Sequence, residues 1–320
     1  MDIVIPDDFP PTYESLEQTD LRRLAGYGTV RLHTSRAADR DELFARLATA
    51  EVAINVRAYT VFDDELLERA GKLKLISILG TGTDNVDLAA ARLRGVTVTN
   101  TPAVGAPSVA ELTLGLMLAT VRAIPLSDTR VRAGTWQHVE GPELEGKTLG
   151  LLGLGAIGSR VARIGRALGM RVIGWSVTPD PSRAARLNVE LVERDEVFRQ
   201  ADVVSVHLRN TPEMRGVVGP RELALMRPSS YVINTARGAL VDSEALAAAI
   251  RAGRLAGAGL DVFTEEPLPP ERNAFLDLPS VVLTPHLGAV TREANARSRA
   301  MPVDNIIAFL EGRPQNVVNG

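Results

Sequence analysis

Short apolar runs alternate with longer helical patterns along the chain. In the first hundred residues the runs are too short for core helices, and they predict four strands: Ile3–Ile5, Glu51–Val56, Leu75–Leu79 and Thr97–Asn100. A second series begins at Thr148 and continues with five more: Arg171–Trp175, Val203–His207, Tyr231–Asn234, Gly257–Asp261 and Val281–Thr284. Because the runs are apolar on both faces, they are typical of parallel strands covered by helices on both sides.

The alternation predicts an α/β fold with two doubly wound parallel-sheet domains. Helical patterns such as Ser243–Ala252 separate the strands of the second series. The proline- and glycine-containing stretch 102–107 is the predicted boundary between the domains, and an apolar helix, Ser108–Val121, follows it.

Composition narrows the function classes. A chain of 320 residues with 45% hydrophobic content can bury a large core, and its net charge of −3 gives no reason to expect nucleic acid or an anionic membrane as a partner. No apolar run is long enough to span a bilayer, so we expect a soluble, cytoplasmic protein. The chain has no cysteine, which excludes disulfides and thiolate chemistry, and no metal site is predicted.

A glycine-rich turn stands between the first strand of the second series and a helix. Gly153, Gly155 and Gly158 follow the apolar run Leu149–Leu152 and precede a helical pattern. In a dinucleotide-binding turn the first glycine permits the turn, the second lets a pyrophosphate approach, and the third allows close helix packing. The helix N-terminus then favours the anion. A purely structural glycine turn is the alternative interpretation.

Few residues can serve as an acid or base, because the chain has only four histidines. His207 ends a predicted strand and has a buried structural role as its alternative. His286 follows the end of another strand, where open α/β sheets bind ligands. Arg237 and Glu266 also follow strand ends, so three strands bring an arginine, a carboxylate and an imidazole to one edge. A surface ion pair between Arg237 and Glu266 is the alternative to a joint catalytic role.

Over nearly its whole length the chain resembles the D-isomer-specific 2-hydroxyacid dehydrogenase family. The resemblance rests on these segments: Gly80–Asp87, Ser108–Glu111, Gly153–Gly158, Asn234–Gly238, Gly259–Val262, Glu266–Pro267 and Pro285–Gly288. It implies that a Rossmann cofactor domain, residues 102–290, is inserted into a flavodoxin-like substrate domain formed by residues 1–101 and 291–320. Residues 305–314 then form the helix that returns to the first domain.

The resemblance implies that Arg237, Glu266 and His286 form the catalytic set of a 2-oxo-acid reductase that uses NAD(P)H. Negative charge develops on the carbonyl oxygen during hydride transfer, so a protonated His286 would donate a proton there. Glu266 would hold the other ring nitrogen and favour the imidazolium. The planar fork of Arg237 suits a carboxylate and a carbonyl oxygen.

The resemblance also implies the binding residues. The amides of Thr81 and Gly82 would bind the substrate carboxylate, with Arg57 as a further cation or, alternatively, a solvated loop arginine. Asp261 would hold the nicotinamide carboxamide. The full set of implied cofactor contacts is Gly153, Gly155, Ala156, Ile157, Gly158, Ser176, His207, Thr211, Thr235, Ala236, Asp261 and His286.

The sequence departs from the family at the ribose site. An acidic residue about twenty positions beyond the glycines normally receives the ribose hydroxyls of NAD, but Ser176 stands there. Asp180 comes four residues later, too late to replace it. The neutral serine, with Arg183 nearby, favours NADP slightly over NAD as the cofactor. Arg209, where relatives often have proline, adds a cation that favours the same choice.

Two other functions fit parts of the sequence. A dinucleotide-binding, corepressor-like interaction protein would keep the fold and the cofactor, although such proteins carry docking tails. A different Rossmann enzyme, such as a methyltransferase, would use the glycine turn but leaves Arg237, Glu266 and His286 unexplained. The expected partners are therefore a small 2-oxo or 2-hydroxy acid and, as a homodimer, a second copy of the chain.

Overall fold

The computed structural model describes residues 1–56 and 59–320. Its strands are Asp2–Ile5 (β1), Thr29–Leu32 (β2), Val52–Val56 (β3), Leu75–Leu79 (β4), Thr97–Thr99 (β5), Thr148–Leu152 (β6), Arg171–Trp175 (β7), Glu190–Leu191 (β8), Val203–Val206 (β9), Tyr231–Asn234 (β10), Gly257–Leu260 (β11) and Val281–Leu283 (β12). Its α-helices are Thr19–Arg22 (α1), Arg40–Leu47 (α2), Asp64–Arg69 (α3), Leu88–Leu93 (α4), Ala106–Val121 (α5), Ile124–Arg132 (α6), Ala156–Ala167 (α7), Pro181–Leu187 (α8), Arg194–Gln200 (α9), Pro220–Leu223 (α10), Ser243–Arg251 (α11) and Arg292–Leu310 (α12).

The chain divides into two compact units, Met1–Val104 with Thr291–Gly320, and Gly105–Val290. The predicted domain boundary lies three residues earlier, after residue 101. All the strands pair in parallel, which confirms the predicted fold class of two parallel-sheet α/β domains. The prediction missed β2 and β8, both of which are short edge strands with partly exposed residues.

The first unit contains a five-stranded sheet in the order β2-β1-β3-β4-β5. Helices α2, α3 and α4 begin at aspartates that accept a hydrogen bond from an amide three residues later, a common N-cap. The returning helix α12 buries Val303 and Ile306 in a cluster with Ile3, Ile54 and Leu75. The C-terminal segment is thus part of the core of the first sheet.

The second unit contains a seven-stranded sheet in the order β12-β11-β10-β9-β6-β7-β8. Apolar clusters cover both of its faces, as predicted for strands without polar alternation. The strand order reverses between β6 and β9, so the carboxyl ends of these two strands form a topological switch point, where such sheets bind ligands.

In the described part of the chain, no single helix is long and apolar enough to cross a membrane. Helices α5 and α6 pass that test only together, and they are bent by 62° relative to each other.

Candidate active site

The glycine turn connects β6 to α7 and lies at the switch point defined above. Gly153 has a φ of +100°, and a Cβ on it would lie 2.6 Å from the carbonyl oxygen of His207. A Cβ on Gly158 would overlap the carbonyl of Gly153, so this third glycine lets the helix approach the turn itself. Close packing of α7 on the strand instead involves Gly165, whose added Cβ would lie 2.6 Å from Leu149.

The same turn leaves space and hydrogen-bond donors for an anion. Nothing lies within 4 Å of a Cβ built on Gly155, and no side chain caps the helix that begins after it. The amides of Ala156, Ile157 and Gly158 are in the first turn of α7, where a helix has no internal acceptors for them. The turn therefore fits the pyrophosphate of a dinucleotide.

At the carboxyl end of β7, the Ser176 hydroxyl accepts a hydrogen bond from the amide of Leu154 at 3.0 Å. Arg183 donates to the carbonyl of the same Leu154 at 3.1 Å, which places a guanidinium beside the glycine turn. Asp180 caps α8, where its Oδ1 accepts from the amide of Arg183 and the hydroxyl of Ser182. These hydrogen bonds lower the pKa of Asp180. The Asp180 carboxylate is therefore part of the N-terminal cap of α8.

His207 lies just beyond β9, against Gly153. Its Nε2 shares a hydrogen bond of 2.9 Å with the Ser205 hydroxyl, whereas its Nδ1 is buried without a partner. Burial lowers the pKa of His207 to about 3, so the ring is neutral. Thr211 follows in the same loop and precedes a short 3₁₀ helix, Pro212–Met214. Arg209 is exposed and forms no ion pair with any residue in the ranges 1–56 and 59–320.

The turn after β10 presents Arg237. Asn234 organises this turn, because its Nδ2 donates to the Arg237 carbonyl at 2.9 Å and its Oδ1 accepts from the Ala236 amide at 3.0 Å. Thr235 is buried, and its hydroxyl lies 2.9 Å from that of Thr113 on α5. The exposed Arg237 guanidinium donates to the Ala236 carbonyl and joins no ion pair with the described residues.

Glu266 binds His286 rather than Arg237. Its Oε2 lies 2.6 Å from Nδ1 of His286, and its Oε1 accepts from the Phe263 amide at 2.9 Å. A Cβ on Gly238 would overlap the backbone of Phe263, so the Arg237 turn also packs on this residue. The structure therefore brings the three predicted catalytic residues into one cluster around Phe263, and the alternative of an Arg237–Glu266 surface pair is not observed.

His286 has a left-handed backbone, with a φ of 54°. Its amide donates to the carbonyl of Asp261 at 2.8 Å. The Asp261 carboxylate is completely buried and accepts from the Thr284 hydroxyl at 2.6 Å, the Leu287 amide at 2.7 Å and the Gly288 amide at 2.8 Å. Asp261 thus holds the loop around His286 in place. Its contact with the nicotinamide carboxamide stays a prediction.

The first unit contains a loop after β4. The amide of Gly80 donates to the Thr101 hydroxyl at 2.8 Å, and the Thr81 hydroxyl donates to the Thr101 carbonyl at 3.2 Å. The amides of Thr81 and Gly82 donate to no acceptor in the part of the chain that the structure describes. Two adjacent unpaired amides suit a carboxylate. Arg57, the other predicted substrate residue, lies outside the described residues.

Four residues that hold the predicted catalytic and binding residues in place were assigned no role from the sequence: Thr113, Asn234, Phe263 and Thr284. Asn234 offered a signal, since it is a polar residue at the end of an apolar strand. Phe263 acts through its backbone amide, which no side-chain pattern reveals.

Comparisons with known proteins identify the family of the chain. Residues 114–288 match the "D-isomer specific 2-hydroxyacid dehydrogenase, NAD binding domain" family, and that range contains the glycine turn, Arg237, Glu266 and His286. The chain belongs to the D-isomer specific 2-hydroxyacid dehydrogenase family. This membership confirms the resemblance. It also shows that the second unit is a domain that binds a nicotinamide dinucleotide.

Among relatives in this family, the chain is 41% identical over 267 residues to glyoxylate reductase of Thermococcus litoralis, covering 80% of each chain. It is 38% identical over 310 residues to D-3-phosphoglycerate dehydrogenase of Methanocaldococcus jannaschii, covering 96% of this chain and 58% of the relative. The crystal structure of a glyoxylate reductase from Paecilomyes thermophila superposes with a TM-score of 0.90 at 29% identity, covering 99% of this chain and 98% of that one. The chain spans only 52–58% of the phosphoglycerate dehydrogenases that it matches.

Proposed function

We propose that the protein reduces the C2 carbonyl of a small 2-oxo acid to a D-2-hydroxy acid, or catalyses the reverse reaction, with a nicotinamide dinucleotide. The observation that carries this proposal is the 2.6 Å contact between His286 and Glu266, beside an arginine that has no ion-pair partner among the described residues. An acid, its positioning carboxylate and a free cation are what this reduction needs.

When it is bound, the cofactor supplies a hydride to the carbonyl carbon. His286 would then donate the balancing proton from Nε2 to the carbonyl oxygen, because Nδ1 is held by Glu266. Arg237 would bind the substrate carboxylate and the carbonyl oxygen through its fork. The amides of Thr81 and Gly82 are further proposed donors to a substrate carboxylate. In the oxidation direction a neutral His286 takes the proton back.

The proposed cofactor site consists of residues beside the glycine turn, and NADPH is the proposed preference. Ser176 carries no charge that would repel a 2′-phosphate, and Arg183 lies against the turn through its bond to Leu154. Asp180 is held in the cap of α8, where its Oδ2 also lies 3.4 Å from Nε of Arg183. The predicted contacts with Ala156, Ile157, His207, Thr211, Thr235 and Ala236 belong to this same proposal.

A second copy of the chain is the proposed protein partner. Helix α6 buries none of its residues. Two of them are large and apolar: Ile124 is 52% exposed and Val131 is 53% exposed. Trp136, just after the helix, is 82% exposed. Exposed apolar residues in one segment are typical of an interface between subunits. Sedimentation equilibrium of the protein and of Val131→Asp tests this, and a monomeric parent would contradict it.

The function is tested with a panel of glyoxylate, hydroxypyruvate, pyruvate and bulkier 2-oxo acids, each with NADH and NADPH. We expect at least one small 2-oxo acid to oxidise the reduced cofactor and to yield the D-hydroxy acid, as judged by chiral chromatography. Cofactor binding without turnover of any 2-oxo acid would contradict the proposal and would favour a corepressor-like protein, which the relatives described above do not support.

A further inference from the structure

We propose that Asn100 is a positioning residue for the 2-oxo acid, and that a ring of three asparagines, Asn100, Asn305 and Asn316, holds it in place. In this proposal Asn100 aims the loop amides that bind the substrate carboxylate. It rests on the proposed function of Thr81 and Gly82, and it adds residues that no motif singled out.

The asparagine ring is closed by three hydrogen bonds. The Asn100 amide donates to the Asn316 carbonyl at 3.1 Å, Asn316 Nδ2 donates to Asn305 Oδ1 at 2.8 Å, and Asn305 Nδ2 donates to the Asn100 carbonyl at 2.9 Å. Asn305 on α12 is fully buried, and Asn100 is 9% exposed. Buried amides without partners are costly, so loss of one member leaves another unsatisfied.

The Asn100 side chain takes no part in the ring. Its Nδ2 donates instead to the carbonyl of Thr81 at 2.8 Å. The carbonyl of Thr81 and the amide of Gly82 belong to one planar peptide unit and point in opposite directions. The bond from Asn100 therefore fixes the direction of the Gly82 N–H, one of the two proposed carboxylate donors.

The neighbouring residue, Thr101, fixes the other donor in the same way. Its amide donates to the carbonyl of Gly80 at 2.9 Å, and this carbonyl shares a peptide plane with the Thr81 N–H. Gly80 has a φ of +153°, a backbone that side chains rarely adopt, so the loop can fold back onto residues 100–101 only with glycine there. Residues 100 and 101 together aim both amides.

Asn100→Ala tests the central step. The substitution keeps both backbone bonds of the ring and removes only the contact with Thr81. We expect the KM for the 2-oxo acid and the inhibition constant of the unreactive analogue oxamate to rise by about three- to tenfold, the scale of one lost hydrogen bond. The dissociation constant of the cofactor should stay unchanged, and kcat should change less than KM.

The matched control is Asn319→Ala. Asn319 also holds the C-terminal tail to β5, through the Val98 amide and the Val96 carbonyl, but within the described residues its side chain forms no hydrogen bond with the ring or the loop. It should leave KM and the oxamate constant within twofold of the parent. Equal effects from Asn319→Ala and Asn100→Ala would overturn the proposal, and so would unchanged constants in Asn100→Ala.

A direct readout separates this proposal from the proposed function. The amide signals of Thr81 and Gly82 in a ¹⁵N NMR spectrum should shift in Asn100→Ala and in Asn305→Ala, but not in Asn319→Ala. Effects of the first two variants should be less than additive in the double variant, because both act along one path. If the parent reduces no 2-oxo acid, the proposed function fails, but these signals still show whether Asn100 orients the Thr81 and Gly82 amides. Amide signals that do not shift in Asn100→Ala would contradict the proposed role of Asn100.

Discussion

The three proposed catalytic side chains are held to different degrees. Both oxygens of Glu266 are used, one by His286 and one by the Phe263 amide. Among the described residues, the His286 side chain bonds through Nδ1 alone, and the Arg237 side chain has a single bond, to the neighbouring carbonyl. The Glu266 carboxylate is therefore held in place and can orient the His286 imidazole. The Arg237 guanidinium still has N–H groups available to bind the substrate.

Glu266→Gln should lower kcat for 2-oxo-acid reduction, because a neutral amide replaces the charge-assisted hydrogen bond of 2.6 Å that positions the His286 ring. The measurement is kcat and KM for the 2-oxo acid at one pH. Glu265→Gln is the control, since Glu265 bonds Arg272 instead, and a kcat for Glu266→Gln equal to those of the parent and the control would exclude this role for Glu266.

Arg237→Lys should raise KM for the oxo acid and lower kcat. Lysine keeps the charge but loses the planar fork that can hold two oxygens at once. Steady-state kinetics of the variant and of Arg254→Lys, an exposed arginine in the same unit, measure the effect. Values within twofold of the parent for Arg237→Lys would show that a point charge is enough.

Ser176→Asp should reverse the cofactor preference. We expect the parent to use NADPH at least as well as NADH, and the variant to prefer NADH because its carboxylate accepts the ribose hydroxyls and repels a 2′-phosphate. The ratio of kcat/KM values for the two cofactors, taken at one ionic strength, measures this. If the parent protein strongly prefers NADH, the proposal that Ser176 allows NADPH to bind is wrong.

At the scale of elements, strand register creates the site. Asn234, Leu260 and Leu283 pair across β10, β11 and β12, so the residues after them leave the sheet at one edge. The apolar runs predicted these strands, and parallel topology then placed Arg237, Glu266 and His286 together. The buried role of Asp261 could not be predicted, because its partners are two backbone amides and a hydroxyl far along the chain.

The loop at the end of β9 should make stability depend on pH. Burial lowers the pKa of His207 to about 3, so between about pH 6.5 and 3 the unfolded chain binds a proton that the folded chain does not. The free energy of unfolding should therefore fall as the pH drops below 6.5, by at most about 1.4 kcal/mol per pH unit from this residue. His33, whose pKa burial also lowers, acts in the same direction.

Urea unfolding of the parent and of His207→Gln between pH 7 and pH 5 measures this effect. The variant should lose less stability over the range, because its amide does not titrate. His138→Gln is the control, since His138 is exposed, and it should follow the parent. Identical pH slopes for His207→Gln and the parent would show that the imidazole is protonated in the folded protein.

At the scale of the whole molecule, the C-terminal segment completes the first unit. The returning helix was predicted at residues 305–314, whereas α12 spans Arg292–Leu310. Residues 292–301 are largely polar and Pro302 follows them, so no apolar period marked the first half of the helix. The asparagine ring could not be predicted from the sequence either, because its three residues lie in separate segments that only the fold brings together.

The most direct test of the account is the rate of 2-oxo-acid-dependent oxidation of the reduced cofactor by the parent and by His286→Asn. Asparagine tolerates the left-handed backbone at this position but cannot donate the proton as an acid. At saturating substrate and cofactor, kcat should fall by roughly 10²–10⁴-fold while the dissociation constant of the cofactor stays the same. A variant with nearly the parent's kcat would remove His286 from the mechanism and contradict the central claim.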